Sequence, residues 1–187
     1  MSILFRVFYS LFFYLELIVY KVFGRLDSFH FSYKNHCGKC ICLDFDKKST
    51  VLLGEKIGLS NFVVLSVRSG AMLSIGKGVF FNNGCNIVVH KCVTIGDNTK
   101  FGQNVMVFDH DYDYNVEGGV AAKKYKNADV VIGKNCWIGA GCIILRGTKV
   151  GDDSIVGAGC VLKGNYPQGS VIVQKRNTIV VSRNSDK

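Results

Sequence analysis

From Val51 onward the hydrophobic positions recur every six residues. They fall at Val51, Ile57, Val63, Ser69, Ile75, Phe81 and Ile87, then, after a two-residue insertion, at Ile95, Phe101 and Val107. The register breaks there and returns as Ile132, Ile138, Ile144, Val150, Val156 and Leu162. Fifteen of these sixteen anchors are aliphatic or Phe, and glycine follows directly at nine of them. Four positions after the anchor, the second block carries Cys136, Cys142, Thr148, Ser154 and Cys160, all small. A period of six fits neither the 3.6 of a helix nor the alternation of a lone strand. It predicts a solenoid of short strands and turns, in which each repeat buries its anchor against the repeats above and below. The 21 glycines and the single proline, Pro167, agree with this. Many tight turns are needed, while nearly every backbone N–H must stay available to a ladder.

Ahead of the repeat, "MSILFRVFYSLFFYLELIVYKVFGR" is apolar and aromatic. Arg6 and Glu16 interrupt it, so its uncharged run falls far short of the ~20 residues that span a bilayer. The basic n-region and small-residue cleavage site of a signal peptide are missing. An amphipathic helix is expected, packed against the rest of the protein or its oligomer, or lying on a membrane. The aromatic residues, with Arg6, Lys21 and Arg25, suit residues 1–24 to peripheral membrane contact. The expected organisation is a helical segment over 1–30, the solenoid over 31–170 and a basic tail over 171–187. An excursion from the coil is expected over about 111–130, because Ile132 follows Val107 by four repeats plus one residue.

Composition narrows the classes. The chain has 187 residues, is 48% hydrophobic and 20% charged, and so is a packed domain rather than a disordered one. Its net charge of +9 favours an anionic partner. The basic residues form no arm, however; the densest groups are Lys123, Lys124 and Lys126, and Lys175 with Arg176. Nucleic acid is therefore not expected as a partner. Eight cysteines include one C-x2-C in "CGKCIC" (37–42), but no second pair follows at zinc-finger spacing. Reduced, cytoplasmic thiols are the expectation.

One stretch carries candidate chemistry. "FDHDYDYN" (108–115) holds one of only four histidines, among three aspartates. His110 lies three residues past the anchor Val107, where the chain leaves the lattice, and should face outward. Asp109 and Asp111 flank it, yet strand neighbours point to opposite faces. Both are read as polar corner residues rather than catalytic ones.

The repeat resembles the hexapeptide-repeat acyltransferases over roughly residues 50–170, most clearly in "VIGKNCWIGAGCIILRGTKVGDDSIVGAGCVLKGNYP" (131–167). The resemblance implies a mainly β fold, a left-handed parallel β-helix with three strands per coil and about five coils. Through "IGKGVFFNNGCNIVVHKCVTIGDNTKFGQNVMVFDHDY" (75–112) it is most similar to the sugar and polysaccharide O-acetyltransferase branch. That implies acetyl-CoA as co-substrate without a metal, a saccharide acceptor, and a cytoplasmic homotrimer with active sites between subunits. Contact of residues 1–24 with the inner face of the membrane would make a lipid-linked glycan the natural acceptor.

His110 matches the family's general base. Asn82 matches an acceptor-holding position, although Asn82-Asn83-Gly84 also reads as turn chemistry. His90 falls near an acceptor-contact position usually held by Asp, so the sugar need not be the same. Trp137, Ala140, Ala158 and Lys163 match positions lining the coenzyme groove, although Trp137 also reads as a packing residue. The family's closing Gly-x-Pro-x-Arg sequence is replaced by "VQKRNTIV" (173–180), where Lys175 and Arg176 would meet the phosphates, or form a solvated turn. N-acetylation of a nucleotide- or lipid-linked amino sugar and a non-catalytic trimeric scaffold are the alternatives. A zinc carbonic anhydrase on the same fold needs three histidine ligands, and only His90 and His110 lie in the repeat.

Overall fold

The computed structural model describes residues 3–30 and 34–175. Helix α1 (Ile3–Val22) is followed by a parallel solenoid whose wall is three sheets, visited in rotation on every turn. Among the described residues the sheets hold seven, seven and six strands. The solenoid therefore has between six and seven turns, rather than the five read from the repeat. One extra turn lies before Val51, where Leu26–His30 already pairs with Ser49–Leu53 in the first sheet and His36–Cys37 with Gly58–Leu59 in the second, and two further strands, Asn165–Tyr166 and Val171–Ile172, follow the last anchor. Strand structure thus begins at Leu26, inside the segment expected to be helical.

The coils are not equal. Thr50 pairs with Met72 and Val64 with Asn86, steps of 22 residues. Met72 to Cys92 and Asn86 to Met106 are steps of 20. Only beyond the excursion does the step become the 18 of three strict hexapeptides, Val131 to Lys149 and Ile143 to Val161. The wider early coils carry two inward residues on the first and third sheets, such as Leu73 with Ile75 and Leu65 with Val67. Their larger cross-section is filled by Phe45, Phe81 and Phe101, the last two stacked at 4.6 Å between centroids.

The repeat reading holds at the level of single residues. All fifteen apolar anchors are buried, and the polar sixteenth, Ser69, is exposed at a corner of one of the wide coils. Cys136, Cys142, Thr148, Ser154 and Cys160 are buried at corners where little room remains. Thr148 is satisfied by donating to the carbonyls of Leu145 (2.6 Å) and Leu162 (3.0 Å), as a buried hydroxyl must be. All eight cysteines are free thiols, and burial pushes that of Cys37 up to about 12.

Helix α1 covers the open first coil. Phe13 and Leu17 are buried against it, the Tyr20 hydroxyl donates to the Leu43 carbonyl (2.8 Å), and the Cys37 N–H donates to Ser10 Oγ (3.1 Å).

Rung spacing makes a sharp stability prediction. A Cβ at Gly139 would sit 2.5 Å from the Ala158 backbone nitrogen, whereas one at Gly157 would come no closer than 3.2 Å, to the Val173 Cγ1. Gly139→Ala should therefore destabilise by about 1–3 kcal/mol in urea titration, and Gly157→Ala by distinctly less. Equal costs would mean that the turns are not held at this separation.

Candidate active site

His110 opens the excursion, which is a hairpin rather than an irregular loop. His110–Tyr112 pairs antiparallel with Tyr125–Asn127, placing His110 opposite Asn127 and Tyr112 opposite Tyr125. A short 3-10 turn, Gly119–Ala122, lies between the two strands. Alternation along the strand sorts the chemistry onto two faces. His110 and Tyr112 take one face, and the Tyr112 and Tyr125 rings meet at 4.8 Å. Asp111 and Asp113 take the other, where Asp111 pairs with Arg146 of the next turn and Asp113 with Lys126 at 3.0 Å. The acidic face staples the hairpin to the coil, leaving the aromatic face beside His110.

Asp109 is the residue on which the site turns. It is fully buried at the edge where the third sheet passes to the first. One carboxylate oxygen accepts from the His90 N–H (2.8 Å), and the other from the Lys91 (2.7 Å) and Cys92 (2.9 Å) N–H groups. The first oxygen also lies 3.3 Å from His110 Nδ1. Burial pushes the carboxyl up, but these hydrogen bonds, from His110 and the three amides, outweigh it and hold Asp109 below the ordinary carboxylate range. An ionised Asp109 can accept a hydrogen bond from an Nδ1–H of His110, and that tautomer keeps its lone pair on Nε2.

His90 sits one turn below. Its ring lies flat on that of His110, with centroids 3.5 Å apart and 13° between planes, and Tyr125 stands edge-on to both. Burial, and then the positive field of a charged His110, lower the proton affinity of His90. Two imidazolium rings at this distance repel, so the pair accommodates one charge more readily than two. Arg68, on the same edge of the solenoid, is tied to Asp44 (2.9 Å) and Asp46 (3.7 Å).

The other expected residues lie on more than one edge. Asn82 follows Phe80–Phe81 at the edge between second and third sheets, its side-chain oxygen accepting from the Asn83 N–H at 2.8 Å. Ala140 and Ala158 stack on that same edge, where the Gly159 N–H donates to the Ala140 carbonyl (2.7 Å). Trp137 stands on the outer face of the second sheet, 58% exposed. Lys163 is exposed just past Val161–Leu162, on the edge that carries His110. Lys175 is exposed beyond the last described strand, and Arg176 lies outside the described residues. One chain therefore brings His90 to His110 but leaves Asn82, Ala140 and Ala158 on a different edge.

Asp109, read from the sequence as a polar corner residue, does hold a corner and also reaches His110, while Tyr112, Tyr125 and Arg146 were not singled out. A signal was present in "HDYDY", where aromatic and acidic residues alternate with the period of a strand.

Comparison with known proteins agrees with this architecture. The family profile "Bacterial transferase hexapeptide (six repeats)" matches residues 129–164, the stretch in which the coils take the 18-residue step. A putative acetyltransferase of Saccharomyces cerevisiae is 31% identical over 133 residues, spanning 68% of this chain and 67% of the relative. The chain belongs to the hexapeptide-repeat transferase family. Galactoside O-acetyltransferase of Escherichia coli is 31% identical over 102 residues, 54% of this chain. This hexapeptide-repeat chain spans about half the length of that relative and of others it matches. Among solved structures, the polysialic acid O-acetyltransferase OatWY superposes with a TM-score of 0.53 over 84% of this chain and 92% of its own, at 20% identity, a likeness of fold.

The Asp109 clamp has a pH signature. Its folded pKa lies below the unfolded one, so its stabilisation is complete above about pH 4 and is lost as pH falls through the folded value. Asp109→Asn turns an amide NH2 toward N–H donors and should cost roughly 3 kcal/mol at pH 7. The gap in melting temperature between wild type and variant should narrow as pH drops below that value. A gap unchanged at acid pH would show that the carboxylate charge is not what holds the corner.

Proposed function

We propose that this protein is an acetyl-CoA-dependent O-acetyltransferase acting on a saccharide hydroxyl, with His110 as general base. The observation that carries the reading is the placement of His110. Its Nδ1 side is held by a buried, ionised Asp109, its ring is braced by His90, and its open nitrogen stands beside an aromatic hairpin. Membership of a family whose named relatives include O-acetyltransferases supports the same chemistry.

In this reading Nε2 of His110 removes the acceptor hydroxyl proton as the oxygen attacks the thioester carbonyl. The new C–O bond replaces the C–S bond, and the imidazolium returns the proton to the departing sulfur. Asp109 stabilises the charge that His110 carries in between. No hydrogen bond from a Ser or Cys side chain to His110 is seen among the described residues, which favours direct transfer in a ternary complex over an acyl-enzyme. Tyr112 and Tyr125, each partly exposed on the His110 face, present apolar ring surface for the C–H face of a pyranose.

The separation of expected residues onto two edges favours a trimeric site. One subunit would offer His110 and its hairpin; the adjacent subunit would bring the edge carrying Asn82, Ala140 and Ala158, with Trp137 beside it. Acetyl-CoA would lie along that seam, its phosphates near Lys163, Lys175 and Arg176. A cytoplasmic setting suits the free thiols and the co-substrate.

Calorimetric titration of acetyl-CoA, with free CoA as comparison, tests the donor half of this reading. One binding event per chain is expected. His110→Ala should retain it while turnover on a responsive saccharide drops by about 10²–10⁴. Tyr125→Ala should raise the acceptor KM more than it lowers kcat. Absence of acetyl-CoA binding would leave a scaffold, or a different acyl donor, as the better account.

A further inference from the structure

Helix α1 buries one side and leaves the other without cover. Phe13 and Leu17 face the first coil, while Phe8, Phe12, Leu15, Val19, Val22 and Phe23 are each more than half exposed. Their spacing of three and four residues lines them along one stripe of the helix. A row of six large apolar side chains in water is a surface that meets something.

The surroundings of the stripe say what it meets. At its C-terminal end a cleft of about 530 Å³ opens between helix and coil, walled by Val19, Tyr20 and Phe23, with Arg25 and Lys47 at its rim. Lys48, next in the chain to Lys47, and Lys21 on the helix are exposed, and Glu16 is the one acidic residue lining the cleft. A second copy docked on the same face by twofold symmetry would set these cations against their own counterparts. No described helix is long and apolar enough to cross a membrane.

We infer that α1 is an in-plane membrane anchor. It lies at the surface of an anionic bilayer with its apolar stripe among the acyl chains and with Lys21, Arg25, Lys47 and Lys48 at the level of the phosphates. The solenoid then stands on the bilayer by its first coil, which α1 caps. This goes beyond the transferase reading and does not depend on it. Taken together, the two direct the site toward acceptors held at the membrane surface.

The test is flotation of the full chain with vesicles of phosphatidylcholine alone and of phosphatidylcholine mixed with phosphatidylglycerol. The wild type should float with the mixed vesicles and much less with the neutral ones, and added salt should weaken binding. The triple variant Phe8→Gln, Phe12→Gln, Leu15→Gln should lose at least about tenfold in bound fraction with its melting transition retained. Arg25→Glu with Lys47→Glu should lose the preference for anionic vesicles. A wild type that stays with neither vesicle, or a triple variant that floats as well as wild type, overturns the inference. So does a triple variant that falls to a smaller oligomer in light scattering while the wild type ignores vesicles, which would make a second copy the cover. Flotation needs neither acetyl donor nor acceptor, so its failure and a failure of the proposed transfer are read separately.

Discussion

The constraint that organises this molecule is vertical registry. Each inward side chain sits on the equivalent side chain of the turn before, and each outward strand donates its N–H groups to the carbonyls of the neighbouring turn. A residue inserted in one coil is tolerated only if a corner absorbs it, because a shift carried into the next strand would turn anchors outward. The coil steps of 22, 20 and 18 residues show this tolerance at work. Extra residues collect at corners such as the one containing Ser69, while the fifteen apolar anchors stay buried. Where the turns approach closely, as at Gly139 against Ala158, even a methyl group has no place to go.

The same registry builds the candidate site around His110. His90 and His110 stack because they occupy corresponding positions in consecutive turns, following the register that pairs Asn86 with Met106 and Val88 with Phe108. At the next inward position of that strand the lattice would take an aliphatic residue; here it takes Asp109, whose charge the three amides of the corner below satisfy. A buried carboxylate is costly unless every lone pair finds a donor. The corner supplies the donors, and the same carboxylate reaches His110 Nδ1. In the proposed reading stability and chemistry share this one group, so a variant at Asp109 has to be read by pH as well as by activity.

The ends of a solenoid are where its logic fails, because the first coil has no turn beneath it. Helix α1 meets that need with Phe13, Leu17 and Tyr20, and in doing so displays a second apolar face that the fold does not use. The free face and the neighbouring cations lie at the opposite end of the chain from the strict hexapeptides. The anchor and the proposed donor groove therefore do not compete for surface.

Much of this was decided by the sequence alone. The six-residue period, the small corner residues and the near absence of proline specify a solenoid of short strands and turns, and the family resemblance adds its three-sided coil. His110 was legible as the residue at the point where the repeat breaks, and the alternation in "HDYDY" held the two faces of the hairpin for a reader counting by twos. Other features belong to the tertiary structure. The early coils could not be counted before Val51, since strands there lack the glycine punctuation and pair across steps other than eighteen. The bond between Asp109 and the His90–Cys92 corner joins residues 17 to 19 positions apart, a distance set by a coil length that the local pattern does not state. Which side of α1 is covered follows from where the first coil lies beneath it. Sequence specifies what repeats, because repetition is local; contacts between turns depend on coil length, which only closure of each coil against the last decides.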